Sequence, residues 1–259
     1  MDLVTAPATD EIARRPPWRV ALRDDFQVRW YLVRGAVRQR LGQLLNLEHS
    51  TQWTPRTLSQ RVGHYLGIPE RPYARIVMDR QIDAALRLRP YRHMRALEIS
   101  GDKWASFGFA EYRSVGYPEY DVCATVYEPE GFDLVIAEQV FEHVLWPYRA
   151  VKNVWAMLRP GGVFLISTPF LIRRHDVPVD CTRWTELGLK HLLAEGGFAL
   201  ADIETASWGN RACVRAGLQA PGYAIWLPWR HSLHNEQDFP VVVWALATKA
   251  VGEQARAIS

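Results

Sequence analysis

The sequence predicts an α/β fold: a parallel sheet covered by helices, preceded by a mostly helical N-terminal segment. Three observations carry this. From residue 95 onward, short apolar runs separated by turn residues alternate with helical stretches, which is α/β texture. Two of the runs, 132–137 and 163–167, are almost continuously apolar, as strands buried on both faces must be. Before residue 92, apolar residues recur at helical spacing instead.

Taken in order, residues 1–17 end in "RRPP" and form a loose arm, because two prolines withhold amide donors and bias the preceding residue away from helix. A helix follows over 24–47, with Phe26, Trp30, Val33, Val37, Leu41 and Leu44 on one face and Arg29, Arg34, Arg38 and Arg40 on the other. Asp24 and Asp25 stand where a helix N-terminus favours negative charge. A second helix is expected at about 57–67, and a third at about 72–88, striped by Ile76, Val77, Ile82, Ala85 and Leu86. Residues 1–92 therefore read as a helical N-terminal arm or lid, and 93–259 as one α/β domain. Its strands are "RALEIS", "YRSVGY", "FDLVIA", "GGVFLIST", "FALADIETA" and "VVVWALATKA", with helices at about 139–158 and 185–195. An insertion at about 207–239 is far longer than a hairpin needs.

Composition narrows the function classes. The chain has 259 residues, 48% of them hydrophobic, enough for one large domain with a peripheral subdomain or at most two small domains. Against 28 acids stand 31 basic residues, a net charge of +3, which argues weakly for any polyanionic partner. Cys123, Cys181 and Cys213 are odd in number and show no CxxC pairing, so they read as reduced thiols and neither a disulfide frame nor a zinc site. The N-terminus has acids where a signal peptide needs a basic start, and no apolar run approaches a membrane span, so the expected location is the cytoplasm.

In open parallel sheets, ligands bind outside the carboxyl ends of the strands. The residues at those ends are Glu98 with Ser100-Gly101-Asp102, then 117–121, then Ala137-Glu138-Gln139, then 167–170. Four segments, "ALEISG", "FDLVIAEQVFEHV", "LRPGGVFLISTPF" and "HDVPVDCTRWTELGLKHLLAEGGF", resemble the class I S-adenosylmethionine-dependent methyltransferases. The likeness is to their type 11-like small-molecule and glycan group, over about residues 93–250. It implies a Rossmann-like, mostly parallel sheet with an antiparallel last strand, and S-adenosylmethionine as cofactor.

The resemblance also assigns residues. Family members carry an acid and a glycine-rich turn after the first strand, where backbone approaches the methionine end of the cofactor. Here that acid is Glu98 and the retained small residues are Ser100 and Gly101, with Trp104 covering the site and Glu138 and Gln139 nearby. The acid expected for the ribose falls near Gly116, leaving Glu119 and Asp121 for the ribose or adenine. Only 34 residues separate Glu98 from Asp133, so a helix in that half is reduced or absent.

Methyl transfer needs an in-line nucleophile in a dry pocket, with a base contributing part of the rate. His143, at the start of the helix after "FDLVIA", is the first candidate base, set against a plain packing role. The loop after the fourth strand offers His175, Asp176, Asp180 and Arg183; Asp180 and Arg183 read as an ion pair fixing the loop, with Thr182 capping the next helix. The His175, Asp176 and Asp180 spacing does not demand a metal, and none is expected. Phe170, Arg183, Trp208 and Trp226 are the candidate substrate contacts; Trp208, Tyr223, Trp226 and Trp229 could equally be core.

Three functions follow. The first is methyl transfer to O, N or C of a small metabolite, such as a natural-product or glycan-related intermediate, with a homodimer left open and no membrane partner. The second is a methyltransferase-like scaffold without catalysis, motivated by the eroded glycine loop. The third is a nucleic-acid methyltransferase, motivated by the arginine-rich helices; against it stand the low net charge and "STPF" where base-methylating enzymes carry [ND]PP[YF].

Overall fold

The computed structural model describes residues 71–175, 179–219 and 224–252. The arm at 1–17 and the helices expected at 24–47 and 57–67 lie outside the described residues. The chain enters with helix α1 (Arg75–Arg87), followed by β1 (Arg95–Ile99), β2 (Glu111–Val115), β3 (Phe132–Glu138), α2 (Pro147–Met157) and β4 (Leu158–Pro169). It continues with α3 (Glu186–Glu195), β5 (Ile203–Trp208), α4 (Arg211–Gln219) and β6 (Val242–Thr248). The six strands form one sheet in the order β2-β1-β3-β4-β6-β5. β1, β2, β3 and β4 run parallel, while β6 is antiparallel to both β4 and β5. This is the expected α/β class, with the antiparallel strand the last of the described strands in sequence.

The pleat divides the core in two, because successive side chains on a strand point to opposite faces. On one face Val135, Ala137, Phe164 and Ile166 pack against Ala150, Val151 and Val154 of α2 and Leu189 and Leu193 of α3. On the other, Leu134, Ile136, Val163 and Leu165 meet Met78, Ile82, Ala85 and Leu86 of α1. Each such aliphatic side chain contributes roughly 1.5–3 kcal/mol by leaving water. Helix α1, which the sequence groups with the N-terminal arm, shares its whole apolar stripe with the sheet.

Several boundaries differ from expectation, each for a local reason. The helix expected to start near 139 begins at Pro147, a residue suited to the first helical turn, where no amide donor is required. His143 is therefore on a separate 3-10 turn, Phe141–His143, and not on the helix. β4 starts at Leu158 directly after α2, earlier than the glycine pair suggested. β5 starts at Ile203 because residues 200–202 form a 3-10 turn. The cap of α3 is Thr185, whose hydroxyl accepts the Gly188 amide at 3.1 Å; Thr182 instead donates to the Phe141 carbonyl. As the short spacing implied, no helix lies between β1 and β2 or between β2 and β3. Among the described residues, no helix is long and apolar enough to cross a membrane.

The insertion packs on the α1 face. Trp208 and Trp226 are fully buried there, their indole N–H groups donating to the Leu233 and His231 carbonyls at 3.1 Å each. They form core, which corrects the substrate-wall expectation for both; Tyr223 lies outside the described residues and Trp229 is exposed. The His231 ring stacks on Tyr73 at 4.5 Å and accepts the Leu227 amide on Nδ1 at 3.1 Å.

Burial, reinforced by the Arg230 charge and partly offset by a backbone hydrogen bond at Ile225, pushes His231 down from 6.5 to about 4. The unfolded chain therefore binds a proton at His231 between those values while the folded chain does not, so stability falls as pH falls. Loss should begin near pH 6.5, approach about 3 kcal/mol by pH 4 and then level off. Urea denaturation of His231→Gln over the same range should show a shallower acid slope than the wild type.

Candidate functional site

Two buried carboxylates define the carboxyl edge of the sheet. Glu98, 2% exposed, is the penultimate residue of β1; Glu138 is the last of β3. The chain turns sharply after each, with Ser100 and Gln139 both at a φ of 59°. Such left-handed backbone is uncommon for residues with a side chain and clusters at functional turns. The Gln139 turn is held by its amide donating to the Ser167 carbonyl at 2.8 Å and its side-chain amide reaching the Ser167 hydroxyl at 3.1 Å.

A buried carboxylate needs partners. Glu98 Oε2 accepts the Trp104 amide at 3.0 Å and the Tyr112 hydroxyl at 2.7 Å. Burial, and then the hydrogen bond to Glu98, push the Tyr112 phenol well above its ordinary value, so it remains a donor. Glu138 accepts Arg75 at 2.9 Å, Lys103 at 2.8 Å on both oxygens, and the Trp104 indole N–H at 3.2 Å. Trp104 thus bridges the two acids, one by its backbone and the other by its ring. Lys103 also reaches Asp79 at 2.7 Å. A Cβ at Gly101 would come within 2.6 Å of Glu98 Oε1, so a larger residue there would have to displace that carboxylate.

The aromatic loop between β1 and β2 takes the place of a helix. Trp104 and Phe107 meet edge to face at 5.2 Å, Phe107 lies 5.0 Å from Phe109, and Tyr91 packs on Phe107 at 4.9 Å. Beyond β2, Glu119 is exposed, and Asp121 is half-buried with one oxygen accepting the Cys123 amide at 2.8 Å. Arg75, Lys103 and Tyr112 were not among the residues expected at this edge. Arg75 sits on a helix read as remote, and strand alternation alone does not say which tyrosine meets a buried acid.

A second cluster forms where the loop after β4 folds over the turn after β3. The Cys181 amide donates to the Glu142 carbonyl at 2.7 Å, Thr182 holds Phe141, and His143 Nδ1 contacts the Val179 carbonyl. This sets the His143 and His175 rings 4.9 Å apart at 80°. Asp180 anchors the loop, accepting the His175 amide at 2.9 Å and pairing with Arg183 at 2.6 Å, as the sequence suggested. Its hydrogen bond with Arg183 is the main reason its carboxyl falls to about 2. Phe170 follows β4, half-buried, its amide on the Val241 carbonyl at 2.8 Å. Burial pushes Glu142 up to about 7 against the pull of its own backbone and of Arg183. Asp176 lies outside the described residues, and Asp180 is committed to Arg183; Glu142, His143 and His175 bring one ligand atom each to within 4.8 Å of one another.

The bridging role of Trp104 is open to test. Trp104→Phe keeps the apolar bulk but removes the N–H donated to Glu138, so it should lose about 1–3 kcal/mol in urea denaturation. Loss of less than a few tenths would mean that Arg75 and Lys103 satisfy Glu138 without the indole.

Residues 92–166 match the family described as "Methyltransferase domain". A curated protein of Mycolicibacterium smegmatis, named a probable S-adenosylmethionine-dependent methyltransferase, is 38% identical over 76 residues, which are 27% of this chain and 30% of that protein. The chain thus spans less than a third of the length of that relative. Among solved structures, an S-adenosylmethionine-dependent methyltransferase from Mesorhizobium loti is similar at 18% identity and a TM-score of 0.42, over 64% of this chain and 96% of that one. A phosphoethanolamine N-methyltransferase 2 from Haemonchus contortus, in complex with S-adenosyl-L-methionine, is similar at 13% identity and a TM-score of 0.44, over 67% of this chain and 53% of that one. The segment that matches the methyltransferase-domain family runs from β1 into β4, the strands that carry both acids.

Proposed function

We propose that the chain binds S-adenosylmethionine at the carboxyl edge of β1 and β3 and transfers its methyl group to a small metabolite. The observation that carries this reading is Glu138: it already holds an alkylammonium, the Nζ of Lys103, on both carboxylate oxygens at 2.8 Å. An alkylammonium is also the group at the methionine end of the cofactor, so the donor set fits it once Lys103 swings away. Lys103 is free to do so, since its side chain is a third exposed and keeps Asp79 as a second partner. Glu98, Ser100 and Gly101 form the rest of the methionine subsite, Trp104 its wall, and Gln139 its floor. Glu119 and Asp121 are proposed for the adenosine end.

The cofactor supplies an electrophilic methyl on a sulfonium sulfur; the chain must orient an acceptor and exclude water. Phe170, half-buried just after β4, is proposed to offer the acceptor an apolar surface, and Arg183 keeps the covering loop in place through Asp180. His143 and His175 are the proposed acceptor-facing groups that draw off its proton. An oxygen, nitrogen or carbon acceptor on a natural-product or glycan-related intermediate fits a site of this kind.

The scaffold reading is favoured by a different observation: Trp104 and Lys103 fill the space between the two acids. Calorimetry with S-adenosylmethionine and S-adenosylhomocysteine separates the two. The expected result is binding that weakens at least about tenfold in Glu98→Ala and Glu138→Ala and tightens in Lys103→Met, which removes the internal competitor. Absence of binding at millimolar ligand in both the wild type and Lys103→Met would overturn the methyltransferase reading in favour of the scaffold. With binding secured, transfer of labelled methyl to a panel of small acceptors should be slowed by His143→Ala with cofactor affinity unchanged.

A further inference from the structure

We propose that Glu142, His143 and His175 form a binding site for a divalent first-row transition cation such as Zn2+ or Mn2+. Three observations converge on the cluster. One carboxylate oxygen and a ring nitrogen from each histidine already lie within 4.8 Å of one another, although the residues come from two separate segments of chain. Glu142 is 1% exposed, and its Oε2 has no hydrogen-bond partner. A carboxylate oxygen so placed is costly unless something positive meets it. The ring geometry of His143 completes the case: its Nδ1 is engaged by the Val179 carbonyl, which fixes Nδ1 as the protonated nitrogen and leaves Nε2 as the basic one. That Nε2 faces Glu142 Oε1 at 3.7 Å. A carbonyl on the far nitrogen is the usual support of a metal-bound imidazole.

The ligand chemistry narrows the ion. Two nitrogens and one oxygen suit Zn2+, Mn2+, Fe2+ or Co2+, while Ca2+ takes oxygen ligands throughout and thiolate-seeking ions lack a partner in this set. Ligand atoms around such an ion lie about 2.1 Å from it, so the three groups must close by roughly 1 Å when it enters. His175 reaches the cluster from the loop that is tied to the turn after β3 at Val179, Cys181 and Thr182. Three protein ligands leave at least one coordination position open, the arrangement of catalytic rather than structural sites. The cation site stands without the methyl-transfer reading; only a role in activating an acceptor oxygen rests on it, and there the two histidines act through the ion instead of as free bases.

The test uses the full chain, freed of any affinity tag, stripped with chelator and dialysed, with no cofactor present. Titration with Co2+ should produce visible d–d absorption saturating at a single equivalent, and Zn2+ should displace it. His143→Ala, His175→Ala and Glu142→Gln should each weaken Co2+ binding by at least about tenfold, the scale on which even outer ligand partners act. Glu142→Gln keeps the side-chain shape, and its melting temperature should no longer rise on adding Zn2+ as that of the wild type does. His234→Ala, outside the cluster, should bind as the wild type. No Co2+ absorption below millimolar metal, or unchanged affinity in the three cluster variants, overturns the proposal. Neither outcome depends on S-adenosylmethionine, so failure here and failure of the methyltransferase reading are distinguishable.

Discussion

Two carboxylates withdrawn from water at the ends of adjacent parallel strands govern the arrangement of everything around them. Charge in a low-dielectric interior must be compensated nearby, and breaking such a set by removing one partner is far costlier than exchanging one partner for another. Glu98 and Glu138 therefore dictate where Trp104 turns inward, why Tyr112 stays protonated, and why α1 presents Arg75 to the sheet edge. The same requirement explains how a loop short of glycines keeps a defined path. Glycine-rich turns hold their shape by backbone freedom, whereas this one is held by side-chain donors converging on two acids and by packed aromatic rings.

Exchange of partners is then the natural chemistry of the edge. The contacts of Lys103 on Glu138 are shared with Arg75 and Trp104, so one cation can leave without exposing a bare charge. A ligand that brings its own ammonium would meet a carboxylate already arranged to receive it. The second cluster differs in kind. Around Glu142 the polar contacts are incomplete, and the loop that closes over it is tied to the turn by backbone hydrogen bonds and by the Asp180 and Arg183 pair.

The sheet was legible because periodicity reports burial: the apolar runs at 132–137 and 163–167 lie in β3 and β4, buried on both faces. Strand polarity sufficed to place Glu98 and Glu138 at the carboxyl edge of the sheet, since that edge follows from topology. What stayed hidden depends on contacts between segments distant in sequence. Arg75 meets Glu138 across 63 positions, and His143 meets His175 only because the loop after β4 folds back. Helix α2 was misplaced at its start because the apolar pattern continues through the 3-10 turn, while Pro147 sets the true beginning. Trp208 and Trp226 were ambiguous because large aromatics wall a pocket and fill a core with the same chemistry; burial distinguishes them.

The place of β6 carries a consequence for the order in which the molecule assembles. Strand β6, the last of the described strands in sequence, lies between β4 and β5 and pairs with both, so β5 has no place in the sheet until β6 arrives. The four parallel strands bearing both acids are complete in sequence by Pro169. Until residues 242–248 insert, however, the edge of β4 remains an open template for another chain. A chain lacking residues 242–248 would therefore keep its four parallel strands but carry a sheet edge that invites aggregation, making β6 a solubility element as much as a structural one.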